Sequence, residues 1–379
     1  MKLFKQKLAW AAPIAVILII ALFSVNLFVQ GDPQVRNLPV ALIVNDDGQH
    51  VDNVINAVEN MSKGVNDEAP MIAFTQEAEE NIEQLFKDKV YYAALVVPDG
   101  YNDALQHAVA NNSPANLKLY INQGFNMTGA NFAKTALNNL ASQLSSQYST
   151  LFINQLGDQQ VDASQALVLA KPITLEEKIY NEITVATANG SAPILMAIAA
   201  WVGALIGGFI VFLTSSSIIK KEALTRKQTL NLMGGQIMFG VIIAIFSGFT
   251  AATLGLIAGI NMPSYLLVAL FISFAAFCFY LLVTSITAWI GKPAITLFMV
   301  VMMLGMGVIM MPKEMIPDFF VSFIRPWIPT RFAAEGLREI FYFGSGFYTG
   351  QSFNTIIGIG IGGLIIYLLS LLKPVRVKN

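Results

Sequence analysis

The sequence predicts an α-helical integral membrane protein with six transmembrane helices and an extracytoplasmic α/β domain between the first and second of them. Three observations carry this prediction. Six apolar runs of about 20 residues are each long enough to cross a bilayer as a helix. Of the 379 residues, 55% are hydrophobic and only 12% charged, against roughly 25% charged in a soluble domain. Between the first two runs, short apolar segments alternate with amphipathic ones, as in βαβ units.

The first run, 8–29, follows MKLFKQK. It is longer than the core of a signal peptide, and VNLFVQGD contains no small-x-small cleavage site, so 1–29 is expected to be a short cytoplasmic N-terminus and an uncleaved anchor. The domain 30–190 opens with the strand-like LPVALIVN (38–45) and a polar helical stretch at 49–63. PMIAFT (70–75), EAEENIEQLFKDK (77–89), YAALVVP (92–98) and LKLYIN (117–122) follow. In the second helix Ala78, Ile82, Leu85 and Phe86 share a face. Strands separated by helices predict a parallel sheet.

From Asn126 to Leu156 the three- and four-residue steps of Phe132, Leu137, Leu140, Leu144, Tyr148 and Leu151 predict a long helix, either a stalk or a cover for the sheet. LVLAKPITLEEKIYNE then reads as a final strand and connector, with Pro172 excluding a continuous helix. The runs 192–213, 236–260, 265–290, 294–311 and 354–372 make a five-helix domain over 191–379.

Orientation follows from Lys and Arg in the connections. With both termini cytoplasmic, the inner side holds eleven basic residues and one acid, Glu222, while the outer side holds twelve basic and twenty-three acidic residues. A multi-pass cell-membrane protein with both ends inside is the expectation.

The residues exclude several chemistries. The sole cysteine, Cys278, falls in an apolar run, so no intrachain disulfide can form. There is no G-x-x-x-x-G-K-[ST] loop for ATP and no GxSxG. His50 and His107 are far apart, and NDDG (45–48) lacks the ligand alternation of a calcium loop and reads as a turn or helix cap. No catalytic, cofactor, metal or nucleic-acid site is expected. The apolar runs contain no buried acid or histidine of the kind that relays protons, so any energy for work enters from elsewhere.

Two stretches invite function. TSSSIIKKEALTRKQTLN (214–231) is the largest basic inner connection, read as a short amphipathic helix with Ile218, Ile219, Ala223 and Leu224 toward the membrane or a partner. Its charged residues are Lys220, Lys221, Glu222, Arg226 and Lys227, and a positive anchor on lipid headgroups satisfies them equally well. FIRPWIPTRFAAEGLREIFYFG (323–344) mixes breakers, charges and aromatics. Pro326 and Pro329 interrupt helix, Trp327 suits a headgroup interface, and Arg331, Glu335 and Arg338 can pair on one helical face.

The layout of one run, an exterior α/β domain, then five runs resembles the permease subunit of type-2 ABC exporters. It is most similar to the branch with phage infection protein and nitrosoguanidine-resistance-like membrane proteins. The resemblance covers nearly the whole chain and is carried by LPVALIVNDDG…YAALVVPDGYNDAL, KKEALTRKQ and IPDFFVSFIRPWIPTRFAAEGLRE. It implies a homodimer with separate ATP-binding subunits, for which 214–231 is the candidate docking loop, and a segment 313–350 of short helices that dip into the outer leaflet without crossing, either as a gate at the outer end of a path or as an interfacial anchor. The exterior portion is smaller than that of phage infection proteins. Gly203-x3-Gly207, Gly255-x3-Gly259 and Gly358-x3-Gly362 suit close helix contacts, either between copies or within one bundle. Met299, Met302, Met303 and Met306 suit flexible apolar cargo or core packing. Two functions remain open: an exporter half moving an amphipathic or lipid-like molecule outward, and a surface interaction protein without transport.

Overall fold

In strand β1 (Leu38–Val44) all but two residues are buried, because both faces of the strand are covered. A computed structural model describes residues 35–64, 69–157, 159–221 and 225–372, and everything below concerns these. The predicted first span, Glu222 and the basic C-terminal tail lie outside them. The chain divides into two units, one built from 33–183 with Met311–Ile316, the other including Thr184–Met310 and the chain from Pro317.

The first unit is a five-stranded sheet of order β2-β1-β3-β4-β5, with β2 Ile72–Gln76, β3 Ala93–Val97, β4 Ala115–Asn122 and β5 Ile173–Tyr180. Side chains alternate across each strand, which gives the sheet two cores. Leu38, Val40, Leu42, Leu95 and Val97 pack on one face against Val51, Val54 and Val58 of helix α1 (Gln49–Met61). Ala41, Ile43, Ala94 and Val96 pack on the other against Ile82 and Phe86 of helix α2 (Ile82–Lys87). Leu85 joins that second core, whereas Ala78 is exposed.

The parallel expectation holds for β2-β1-β3 and for β4-β5, but β3 pairs with β4 antiparallel, so the sheet is mixed. Between β3 and β4 stands one short helix, α3 (Tyr101–Gln106), and the chain turns straight back rather than crossing over. LVLA is not part of the last strand. It ends helix α5 (Ala163–Ala170), opened by an Asp162–Gln165 capping box that outweighs β-branched propensity. Exposed Glu176, Glu177 and Lys178 on β5 blunt the sheet edge.

Helix α4 (Met127–Leu156) lies over the sheet, with Leu137, Leu140, Leu144 and Tyr148 buried in the first core. Asn126 caps it, its side-chain oxygen accepting from the backbone N–H of Thr128 and Gly129. Its far end exposes Leu151 and Ile153. The Tyr148 hydroxyl meets His50 Nδ1 at 2.9 Å and accepts from Asn53 Nδ2 at 2.7 Å, tying α4 to α1. Burial holds the His50 imidazole below its ordinary value.

NDDG caps helices reciprocally. Asp46 accepts from the Asn102 N–H at 2.7 Å, and Asn102 Oδ1 accepts from the His50 N–H at 3.1 Å. The loop before α1 and the first turn of α3 (Tyr101–Gln106) thereby each satisfy an N-terminal donor of the neighbouring helix. Met315 enters the same core from far along the chain, 2% exposed, and the Tyr92 hydroxyl donates to Glu314 at 3.0 Å.

The second unit holds five helices long and apolar enough to cross a membrane: α6 (Ala192–Lys221), α7 (Arg226–Ile257), α8 (Tyr265–Ile290), α9 (Pro293–Met310) and α11 (Gln351–Leu369). Between α9 and α11 stands α10 (Pro329–Tyr342). Helix α8 is central and buries side chains all round, among them Phe271, Phe279 and Tyr280. Trp201 is fully buried between the rings of Phe279 and Phe298, at 5.2 and 5.7 Å. Helix α7 instead turns Phe239, Phe246 and Ile257 outward, an apolar surface that only lipid or another apolar partner satisfies.

The glycine pairs separate. A Cβ on Gly207 would lie 2.7 Å from Ile243, and one on Gly203 would meet Ser247, so this pair lets α6 and α7 approach within one chain. Gly358 and Gly362 have no neighbouring atom within 4 Å among the described residues, so that face of α11 is open. The methionines of α9 divide: Met302 packs, half-buried, against the core that includes Ala294, Phe298 and Ile309, while Met299 and Met306 are exposed.

Candidate functional site

The basic connection is not a separate amphipathic helix. Helix α6 continues unbroken to Lys221 and α7 starts at Arg226, so 214–231 consists chiefly of the ends of two long helices. Thr225 opens α7 with a capping box, its hydroxyl accepting from the Gln228 N–H at 3.4 Å while Gln228 Oε1 accepts from the Thr225 N–H at 2.8 Å. The capping box at the start of α7 and the continuation of α6 therefore override the weak amphipathic pattern of the connection. Arg226 and Lys227 are exposed in the first turn of α7. Cations there oppose the helix dipole, an arrangement local helix stability does not favour. The side chains of Lys220 and Lys221, and all of Glu222, lie outside the described residues.

The stretch 317–350 is built of short pieces. A π-helical turn, Phe320–Ile324, runs into a 3-10 turn, Arg325–Trp327, and α10 begins at Pro329. Proline at the first helical position suits a residue without an N–H, and Pro326 stands second in the 3-10 turn, within the first turn where a missing N–H likewise costs no helical bond. Helix α10 buries Ala333, Ala334, Leu337 and Ile340 and packs Gly336 against Phe271 of α8. Trp327 stands 76% exposed.

Of the charged residues singled out in sequence, Arg331 meets Glu335 at 3.8 Å as an i, i+4 pair. Arg325 meets the same carboxylate oxygen at the shorter distance of 3.1 Å. Sequence reading missed Arg325 because ten residues separate it from Glu335, and the π and 3-10 turns bring them together. The Arg331 guanidinium lies 4.2 Å from the Phe332 ring centre. Arg338 also makes an interaction of its own.

A second polar set was not foreseen. The Tyr280 hydroxyl donates to the Gln236 carbonyl at 2.7 Å, and the Tyr367 hydroxyl donates to the Gln236 side chain, joining α7, α8 and α11. Such bonds between apolar helices are worth about 0.6 kcal/mol each. The only signal in the sequence was one glutamine amid an apolar run. In the sheet unit, an open hollow is lined by Asn45, Glu77 and Glu79, whose carboxylates accept from the Tyr91 and Tyr120 hydroxyls at 2.7 and 2.6 Å. Among the described residues no cluster of three or more His, Cys, Asp or Glu is placed to hold a metal ion.

Several apolar helices and a separate α/β sheet unit define a multi-pass membrane protein. Residues 9–372 match the family described as ABC-2 family transporter protein. The chain belongs to that family, and it is the membrane, or permease, component of an ABC transporter. Membership implies association with a subunit that binds ATP. No protein of curated function matches the sequence. A solved structure that matches is a domain assigned to an ABC type-2 transporter of Thermotoga maritima MSB8, with 18% identity over 38% of this chain and 85% of that one, at a TM-score of 0.26. The family assignment therefore rests on the sequence match.

Proposed function

We propose that this permease is one half of an exporter, two copies working with two separate ATP-binding subunits to move an amphipathic or lipid-like molecule outward. The observation that carries this reading is the layout of charge. Helices α8, α9 and α11 contain no Asp, Glu, His, Lys or Arg, and in α6 and α7 such residues occupy only the ends that face each other in sequence. Spans with no ionisable relay draw their energy from a partner. Lys220, Lys221, Glu222, Arg226 and Lys227 are where that partner is expected to dock, and exposed cations set against the α7 dipole suit an interface better than a helix end.

Six spans with both termini cytoplasmic, and the sheet domain outside, complete the reading. It draws on the positive-inside count and on the resemblance to the phage infection protein branch. The segment 313–350, with Pro326, Trp327, Pro329, Arg331, Glu335 and Arg338, is read as a re-entrant outer gate whose aromatic side chains sit among lipid headgroups. The open glycine face of α11 offers one surface for the second copy.

The test reverses charge at the connection. Lys221→Glu with Arg226→Glu is expected to lower the ATP-binding subunit recovered per permease in mild detergent, with expression and membrane insertion unchanged. An unchanged ratio would remove this connection from the mechanism and favour a surface interaction protein without transport.

A further inference from the structure

Arg325 and Arg331 both approach Glu335 Oε1, at 3.1 and 3.8 Å. Two cations thus share one anion. Each guanidinium remains protonated and brings five N–H donors, more than one carboxylate can accept from the pair. The Nε atoms of both arginines are buried without a hydrogen-bond partner among the described residues. Their side chains are only 22% and 15% exposed, so the surplus positive charge is poorly reached by water. Asp318, Arg338 and Glu339, on the same stretch, each take part in interactions, and Glu339 accepts from the Ser345 hydroxyl at 3.2 Å. A half-buried cation short of a counter-charge is unfavourable, and a second anion would complete the trio.

We propose that Arg325 and Arg331 form a binding site for the oxyanion headgroup, phosphate or carboxylate, of an amphipathic molecule. The planar fork of each guanidinium matches both groups. Residues that flank Arg325 in the chain supply the apolar half. Phe319, Phe323 and Trp327 are 59%, 65% and 76% exposed, and the first two rings lie 5.4 Å apart. Exposed aromatics on the same short segment as the cations suit the acyl part of such a molecule. Arg331 also sits in the first turn of α10, whose amino end carries no side-chain cap and adds to the positive field. The site narrows the cargo to anionic amphipaths, and in that respect rests on the transport reading; a resident anionic bilayer lipid has the same chemistry.

The test uses the full-length protein in neutral detergent, titrated with phosphatidylglycerol, phosphatidylcholine or inorganic phosphate and read by native mass spectrometry. Phosphatidylglycerol is expected to bind and phosphatidylcholine not. Arg325→Gln and Arg331→Gln should each weaken phosphatidylglycerol about tenfold, the effect of losing one charge-assisted contact. Lys292→Gln, an exposed cation elsewhere, should not. Glu335→Gln should tighten binding by releasing both guanidiniums, which a purely structural role would not produce. Wild-type affinity in the double arginine variant, or weaker binding in Glu335→Gln, would overturn the site. Competition by inorganic phosphate would show that the oxyanion alone suffices; no competition would assign recognition to the lipid-borne group. In vesicles carrying the ATP-binding subunit, outward movement of phosphatidylglycerol identifies cargo, and retention without movement identifies a resident lipid. Intact lipid binding with no ATP-binding subunit recovered would instead defeat the transport reading and leave the site standing.

Discussion

Two ion pairs of similar make-up stand in different surroundings. In the sheet unit Lys134 meets Glu177 at 2.5 Å with 38% and 30% of the side chains exposed, on a strand edge already rich in charge. In the helix unit Arg325 and Arg331 converge on Glu335 within a body whose outward faces are Phe239, Phe246, Ile257 and Trp327. Water screens the first pair, and pairs of that kind contribute about 0–1 kcal/mol. In the second the carboxylate is equally exposed but the arginines are only 22% and 15% exposed, so the cations depend more on their shared anion. Charge is peripheral in one unit and structural in the other.

The largest expected effect comes from breaking the dependent set. Glu335→Ala leaves two guanidiniums without their carboxylate and should lower stability by about 3 kcal/mol, seen as a lower unfolding temperature of the purified protein. A melting curve equal to that of the wild type would erase the contrast.

Next in size is packing within the helix unit. Gly207→Leu forces a side chain into Ile243 and should lower stability by about 1–3 kcal/mol. Gly358→Leu, on the open face of α11, should leave each subunit's fold intact. If two copies meet on that face, light scattering will show this second variant losing its dimer, and an unaltered dimer would move the interface elsewhere.

The smallest effect belongs to the exposed pair. Lys134→Met should change the stability of the sheet unit by no more than about 1 kcal/mol. The hydrogen bond from Lys134 holds Glu177 below the usual carboxylate range. Its contribution is therefore present above the unfolded value and is lost as the pH falls through the lowered folded one. Wild type and variant should accordingly differ slightly at pH 7 and converge in acid, checked by amide exchange in β4 and β5. A gap that widens in acid would reverse the assignment.

Local patterns were legible wherever one periodicity ruled. LPVALIVN, PMIAFT, YAALVVP and LKLYIN all overlap strands, and the step of Leu137, Leu140 and Leu144 marks the buried face of α4. The long apolar helices were legible for the same reason, since length and composition are properties of a contiguous segment. Where two local signals competed, reading went astray. LVLA is apolar enough for a strand, but Asp162 and Gln165 start a helix just before it. Ile218 and Ile219 suggested an amphipathic helix, but the runs on either side extend through most of the connection.

By itself the sequence determined the first four strands, the long helix over the sheet and which helices are apolar enough for a bilayer, because hydrophobic period and run length act over neighbouring residues. Tertiary structure alone decided the antiparallel β3–β4 pairing, the entry of Met315 into the sheet core and the meeting of Arg325 with Glu335. Each of these joins residues whose separation follows no helical or strand period. Which distant groups meet is set by how whole faces bury one another and by the turns that aim them, and no local pattern records that choice.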